Sequence, residues 1–182
     1  MTLATIMKLA LRQLDEEAQS IGEHEELFKS YANMGYMIAL RLYLKPRAVL
    51  DEESDAHGCV NLEGVQFVRV IEVRDMTDRN VAFELDSDGY ALHTDTCRQK
   101  LKVVCEIDCP PMTDSLDKPM LPEYVQPALA DYICYRHLSC GSLAKQSRAE
   151  FFRNSFYEQM RAIRPQGMGS VTRRKNLYSA TN

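Results

Sequence analysis

Apolar residues recur at helical spacing in two stretches at the start of the chain. In residues 2–17 the spacing of three and four places them on one helix face, and Thr2 is a suitable N-cap. Residues 23–45 follow the same period, with acids near the beginning and Arg41 and Lys45 near the end, as the helix dipole favours. Pro46 ends this stretch. The pattern predicts an antiparallel helical hairpin.

Two more helices are predicted at residues 123–139 and 142–164, with Pro127 in the first turn of the former. Both are rich in aromatic residues. Their helical spacing among aliphatic residues favours core packing over an exposed surface that stacks on bases. The aromatic residues concerned are Tyr132, Tyr135, Phe151, Phe152, Phe156 and Tyr157.

The period changes between these helical pairs. Residues 57–109 contain short alternating or β-branched runs separated by polar turns, which predict a small antiparallel sheet inserted between the helices. Residues 50–55 are predicted to form a charged loop, and Pro110 and Pro111 end the last strand. We therefore expect an α+β fold in which residues 1–164 form one domain. Its predicted architecture is a four-helix bundle, with two N-terminal and two C-terminal helices around the inserted sheet.

The last residues, 165–182, are predicted to form a flexible, extended basic arm, because they are polar and contain too few apolar residues to bury a core. Arg173, Arg174 and Lys175 form its basic cluster, and Leu177 and Tyr178 follow. These five residues are candidates for binding an acidic partner surface. DNA phosphates and plain solvent are the alternatives for the basic cluster.

Composition places the chain among ordinary globular proteins, with 45% hydrophobic and 26% charged residues. No apolar run is long enough for a membrane span, and the first residues do not follow the pattern of a signal peptide. The net charge of −4 is uneven. Residues 1–64 contain six Lys/Arg and eleven Asp/Glu, whereas residues 121–182 contain nine and four. An acidic front and a basic back can be complementary between copies, or can reflect only a solvated surface.

The six cysteines are expected to be free thiols, because no export signal suggests an oxidising compartment. No Cys-x-x-Cys pair occurs, so a zinc site would need scattered ligands such as His57, Cys59, Cys97 and Cys109. We expect no metal and no cofactor, and interpret the cysteines as small buried hydrophobic residues.

Other candidates for chemistry are weak. His137 lies three residues from Cys134 and from Cys140, and could form a catalytic dyad with either, but a packed histidine is the favoured interpretation. Asp51, Glu52, Glu53 and Asp55 resemble a cation-binding loop loosely, without the spacing of an EF-hand. Glycine-rich phosphate loops and hydrolase motifs are absent from the sequence. We expect a protein without enzymatic activity.

The order of these elements resembles the head-to-tail connector (adaptor) proteins of tailed bacteriophages, including the tail tubular adaptors of short-tailed phages. The resemblance is carried by Glu106 to Thr113, where a strand ends in prolines, and by Leu121 to Tyr132, LPEYVQPALADY. Arg148 to Phe152, together with Phe156 and Tyr157, add the aromatic last helix, and MTLATIMKLALRQL fits the opening helix.

The resemblance implies a structural virion protein, assembled in the host cytoplasm, that forms a ring of about twelve copies between portal and tail. Its implied partners are other copies of itself, the portal protein, tail or nozzle proteins, and genomic DNA that passes through the channel without sequence-specific binding. It implies no membrane partner and no catalytic residues. The alternative is a small nucleic-acid-binding protein or another phage assembly or tail-completion protein without enzymatic activity.

Overall fold

The computed structural model describes residues 1–15 and 21–163, which form two compact units. A helical unit consists of residues 1–45 and 109–163, and a β unit of residues 46–108. The predicted arm, with Arg173, Arg174, Lys175, Leu177 and Tyr178, lies outside the described residues. The assignment of residues 1–164 to a single domain stays a prediction.

In its described residues, the helical unit contains four α-helices: α1 (Leu3–Leu14), α2 (Ile21–Ile38), α3 (Ala128–Leu138) and α4 (Leu143–Arg161). A π-helical turn, Ala39–Leu44, continues α2. Thr2 caps α1, since its side chain accepts a hydrogen bond from the Thr5 amide at 3.3 Å. The predicted apolar stripes of α1 and α4 are buried throughout. The period of three to four residues therefore identified the core faces of both helices.

The prediction of a four-helix bundle around one small sheet is wrong. The helices cluster around α3, which packs against α1, α2 and α4, while α4 packs mainly on α3. A bundle helix buries one stripe, but α3 is buried on almost every side. Eight of its eleven residues are buried: Ala128, Leu129, Ala130, Asp131, Tyr132, Ile133, Cys134 and Leu138.

Gly35 allows α2 to approach α3 closely. A Cβ atom at this position would lie 2.9 Å from Cγ of Tyr132, closer than packed side chains allow. The ring of Tyr132 continues into the α3–α4 contact, where its centroid is 4.9 Å from that of Phe156. Tyr132 thus packs between two helices, which is possible because glycine leaves room on the α2 side.

The helix predicted from residue 123 begins later, at Ala128. Residues 122–127 form successive turns instead, and Pro127 is the N-cap residue rather than part of the first helical turn. The buried side chain of Gln126 donates to the Leu121 carbonyl at 2.9 Å and accepts from the Met1 amino group. These contacts hold the chain in turns where proline at 127 disfavours helix in the preceding residue.

The β unit contains two antiparallel sheets rather than one. The first has the strand order β1 (Arg47–Glu53), β7 (Lys100–Ile107), β3 (Phe67–Asp75), β4 (Asn80–Val81). The second has the order β2 (Cys59–Asn61), β6 (Ala91–Thr94), β5 (Phe83–Leu85). Antiparallel pairing and the turn at residues 86–89, where Gly89 has a φ of 76°, agree with the sequence prediction.

The charged loop predicted at residues 50–55 is largely strand β1, so the β region begins ten residues earlier than expected. Asp51 lies opposite Lys102, and Glu53 lies opposite Lys100 on β7. Opposite charges facing each other across two strands stabilise the pairing. An acidic run looks like a loop when read alone, because the lysines that balance it lie some fifty residues further along the chain.

Both sheets contribute to one apolar core. Its buried members come from strands β3 and β7 of the first sheet, from β2 and the residue after it, and from β6. Leu50, Phe67, Val81 and Phe83 pack at its margin. The enclosed residues are Val60, Leu62, Val70, Val73, Leu92, Leu101, Val103 and Cys105.

Candidate interaction surfaces

The scattered zinc ligands considered from the sequence do not form a site. His57 and Cys59 lie at a turn and at the start of β2, Cys97 is exposed before β7, and Cys109 is buried in the helical unit. Within the described residues, no group of three or more His, Cys, Asp or Glu side chains is arranged to hold a metal ion. The Cys109 thiol lies 3.7 Å from the Met120 sulfur, in an apolar contact inside the helical unit.

The sequence offered His137 and Cys134 as a possible catalytic dyad, but the two side chains contact different helices. The buried Cys134 thiol donates toward the Ala10 carbonyl at 3.5 Å and Gln13 Oε1 at 3.3 Å, both on α1. The His137 ring packs edge-on against His24 and Phe28 of α2, with centroids 5.4 and 5.5 Å away. Cys140 is exposed beyond the end of α3. The favoured interpretation, a packed histidine, fits this geometry.

The acids at residues 51–55 serve the local fold. The Asp55 carboxylate accepts hydrogen bonds from the amides of Cys59 and His57, both at 2.8 Å, and these bonds lower the pKa of that carboxyl. The Asp75 carboxylate makes the same kind of turn with Thr77 and Arg79, again with a lowered pKa, caused first by the Thr77 hydroxyl. Both aspartates hold turns of the β unit.

Core packing is confirmed for three of the predicted aromatic residues, since Tyr132, Phe152 and Phe156 are all buried. Tyr135 and Tyr157 are only partly buried, and the prediction is wrong for Phe151. This phenylalanine is 68% exposed, although its ring contacts Phe152 with centroids 5.6 Å apart. Adjacent residues of a helix point about 100° apart, so only one member of the Phe-Phe pair can face α3. The other remains on the outer surface.

A buried carboxylate that the sequence interpretation assigned no role connects three helices. Asp131 on α3 is 5% exposed and accepts three hydrogen bonds. The Gln13 amide on α1 donates to Oδ1 at 2.8 Å, while the Ser155 hydroxyl and Gln159 amide on α4 donate to Oδ2 at 2.7 Å. The signal in the sequence was an acid among the apolar residues at the start of α3, where a buried carboxylate requires hydrogen-bond partners.

Asn33 is the second polar residue that the sequence interpretation missed. Its amide donates to the Met112 carbonyl at 2.9 Å and accepts from the Met112 amide at 2.8 Å. One turn further along α2, the Tyr36 hydroxyl accepts from the Met120 amide at 3.1 Å. Two side chains of α2 thereby fix both ends of the segment that joins the prolines after β7 to the start of α3.

Large apolar side chains are exposed on two helices of this unit. On α2, Leu27 and Met34 are 43% and 45% exposed, and Met34 borders an open groove of about 640 Å³ that Met37 and Ile38 also line. On α4, Leu143 and Phe151 are 82% and 68% exposed. We call these the α2 surface (Leu27, Met34 and the groove) and the α4 surface (Leu143 and Phe151). They lie on different helices of one unit.

The β unit has an open groove of about 1230 Å³ next to the β5–β6 turn. Its acidic lining residues are Glu63, Asp86, Asp88 and Asp108, and among the described residues no lysine or arginine lines it. Val65, Phe67, Val68 and Tyr90 supply an apolar part, in which Val68 is 52% and Tyr90 57% exposed. We call this the β groove. Its chemistry suits a ligand with both positive and apolar groups.

Among the described residues, no helix combines the length and apolar character needed to cross a bilayer. No protein-family model and no curated protein matches the chain. Among the described residues, the α2 surface, the α4 surface and the β groove are exposed and are candidates for binding a partner.

Proposed function

We propose that this protein is a non-enzymatic structural component of a virion, the head-to-tail connector of a tailed bacteriophage. In this role, about twelve copies form a ring between portal and tail proteins, as heterologous contacts with closing symmetry permit. Genomic DNA passes through the central channel without sequence-specific binding. The predicted C-terminal arm, with Arg173, Arg174, Lys175, Leu177 and Tyr178, contacts a partner.

The observation that carries this proposal is the presence of exposed apolar side chains on two different helices. Apolar side chains that are exposed in one copy can be buried when copies associate. A two-fold dimer uses one patch that contacts its own copy, whereas a ring needs two different patches that meet head to tail. The α2 and α4 surfaces provide such a pair in one unit.

The fixed segment after β7 supports the same role. It lies between the proline corner and the Leu121 to Tyr132 stretch, which carry the resemblance to phage adaptors. Asn33 and Tyr36 hold the backbone of this segment at Met112 and Met120. Side chains that hold a backbone segment in place serve a static framework, which is what a ring component requires.

The test is the mass of the full-length protein in solution and its presence in particles. We expect native mass spectrometry or electron microscopy to show closed rings, either alone or after mixing with the portal protein. Purified virions of the phage that encodes the chain should contain it in a fixed ratio to the portal protein. A protein that stays monomeric in both settings and is missing from virions would contradict the proposal.

A nucleic-acid-binding role is the second candidate, favoured by the Arg173-Arg174-Lys175 cluster. Binding through phosphate contacts weakens steeply as salt increases. The affinity decreases with about one power of the salt concentration for each contact. We expect weak binding of the full-length protein to duplex DNA at 150 mM salt. Tight binding that is lost in the Arg173→Ala, Arg174→Ala, Lys175→Ala variant would support this candidate instead.

A further inference from the structure

The charge of this protein is divided between two parts of the chain. Residues 46–108, the β unit, contain fourteen Asp/Glu and seven Lys/Arg. Residues 164–182 contain four Lys/Arg and no acid, while the remaining residues are nearly neutral, with eleven Lys/Arg and twelve Asp/Glu. The excess negative charge thus belongs to the β unit, and the excess positive charge to the C-terminal segment.

We propose that the β groove is the docking site for the C-terminal segment, residues 164–182, of this protein. An acidic surface is one partner that this basic segment can bind, and the β unit presents one. Glu63, Asp86 and Asp88 are exposed along the groove and face no lysine or arginine among its lining residues. Docking does not require the ring or the connector role.

The segment and the groove are complementary in their apolar residues as well as in their charge. The segment combines its basic triplet with Leu177 and Tyr178, two and three positions after Lys175. The groove combines its acids with the exposed side chains of Val68 and Tyr90. A tyrosine can pack its ring against an apolar surface while its hydroxyl donates a hydrogen bond to a nearby carboxylate. A purely charged tail would not need the apolar part of the groove.

The groove is also unsuited to binding nucleic acid. Phosphates of DNA or RNA would meet the acids of the groove, and like charges repel. A basic segment of the same polypeptide is present at a fixed ratio to the groove. Covalent connection or assembly also raises the effective concentration of the segment at the groove, up to millimolar for a short linker. Weak individual contacts are therefore sufficient for docking.

The experiment places a photo-crosslinking benzoylphenylalanine at position 178 of the full-length protein and maps the products by peptide mass spectrometry. We expect crosslinks within residues 61–68 and 86–91, with a yield that decreases in 0.5 M salt because the charge contacts are exposed. Crosslinks confined to the helical unit, or no crosslinks within the protein, would overturn the proposal.

Charge reversal makes the test specific. The triple variant Glu63→Lys, Asp86→Lys, Asp88→Lys should decrease the crosslink yield about tenfold, since loss of several exposed contacts amounts to a tenfold change in affinity. A matched control, Glu84→Lys with Asp95→Lys, reverses two exposed acids of the β unit that do not line the groove, and should leave the yield unchanged. An equal decrease in the control would contradict a specific site.

A variant that restores docking distinguishes a loss of binding from a loss of folding. Arg173→Glu, Arg174→Glu and Lys175→Glu should abolish the crosslinks in an otherwise native protein. Combining this variant with the groove triple variant should restore them, because the charges are then opposite again. Failure of the combined variant to crosslink, with its circular dichroism spectrum unchanged, would argue against docking by charge complementarity.

Discussion

At Gly58 the backbone needs a residue without a side chain for two reasons. Its φ is +78°, and an added Cβ would lie 2.2 Å from the Thr94 carbonyl oxygen. The Gly58 carbonyl also accepts the Thr94 amide at 2.9 Å, which joins the turn before β2 to the end of β6. Gly64 has a similar φ of +81°, but nothing lies within 4 Å of its added Cβ. A substitution at Gly64 therefore tests backbone strain alone, whereas a substitution at Gly58 tests backbone strain and a steric clash together.

We expect Gly64→Ala to decrease the free energy of unfolding by about 1–2 kcal/mol, the cost of a left-handed backbone for a residue with a side chain. Gly58→Ala should cost about 1–3 kcal/mol more, because a backbone carbonyl must also move. Denaturant unfolding of both variants, followed by circular dichroism, measures the difference. Equal losses would mean that the turn relaxes without disturbing Thr94.

Cysteine reactivity is the second property decided at the level of single residues. Burial in the β-unit core raises the pKa of the Cys105 thiol to about 12, whereas Cys97 and Cys140 are exposed. The thiolate is the reactive form, so we expect iodoacetamide at pH 8 to alkylate Cys97 and Cys140 at least about a hundredfold faster than Cys105. Peptide mass spectrometry gives the rates. In denaturant the three alkylation rates should converge. Fast labelling of Cys105 in the native protein would contradict its burial.

Among the elements, α3 determines the arrangement of the helical unit. It is surrounded by the other three helices, and its one buried acid, Asp131, accepts hydrogen bonds from both α1 and α4. Apolar contacts alone would allow the helices to slide or rotate, because they have no direction. Hydrogen bonds to a buried carboxylate are directional, so they fix one register of α1 and α4 on α3.

We expect Asp131→Asn to decrease the free energy of unfolding by about 1–3 kcal/mol, because an amide group would replace an acceptor and leave buried donors facing a donor. Glu158→Gln, an exposed site on α4, is the matched control and should change it by less than about 0.5 kcal/mol. Thermal and denaturant unfolding provide the comparison. Equal stability of both variants would show that the network contributes little.

For the whole molecule, the question is whether copies associate head to tail through the α2 and α4 surfaces. We expect Phe151→Asp and Met34→Asp each to prevent ring formation while lowering the free energy of unfolding by no more than about 1 kcal/mol, since both side chains are exposed and aspartate is only a poor helix former. Leu116→Asp, at an apolar residue 74% exposed in another part of the unit, should still assemble. Native mass spectrometry measures each variant.

Mixing the two variants distinguishes a heterologous from a two-fold contact. In a mixed pair, the Phe151→Asp variant keeps its α2 surface and the Met34→Asp variant keeps its α4 surface. Equal amounts of the two variants should therefore form a dimer that cannot grow into a ring. A two-fold contact through either surface alone would leave one of the variants able to dimerise by itself. Rings in both single variants would contradict the assignment of these surfaces, without bearing on the docking of the C-terminal segment.

The sequence alone determined that two pairs of helices flank a β region, and which faces α1 and α4 bury. The apolar period placed the buried faces of α1 and α4, Thr2 marked the start of α1, and the turn at residues 86–89 was evident from its composition. These features depend on neighbours within a few residues, because backbone geometry and side-chain spacing are local properties. The expected functional class followed from the order of elements and stays a proposal.

Only the tertiary structure decided what depends on residues far apart in the chain. Strand β1 exists because lysines on β7 face its acids, and α3 is central because Gly35 and the partners of Asp131 lie on other helices. Phe151 is exposed while Phe152 is buried, although the two are adjacent. The physical reason is the same in each case: long-range contacts set burial and pairing, and a local pattern does not contain them.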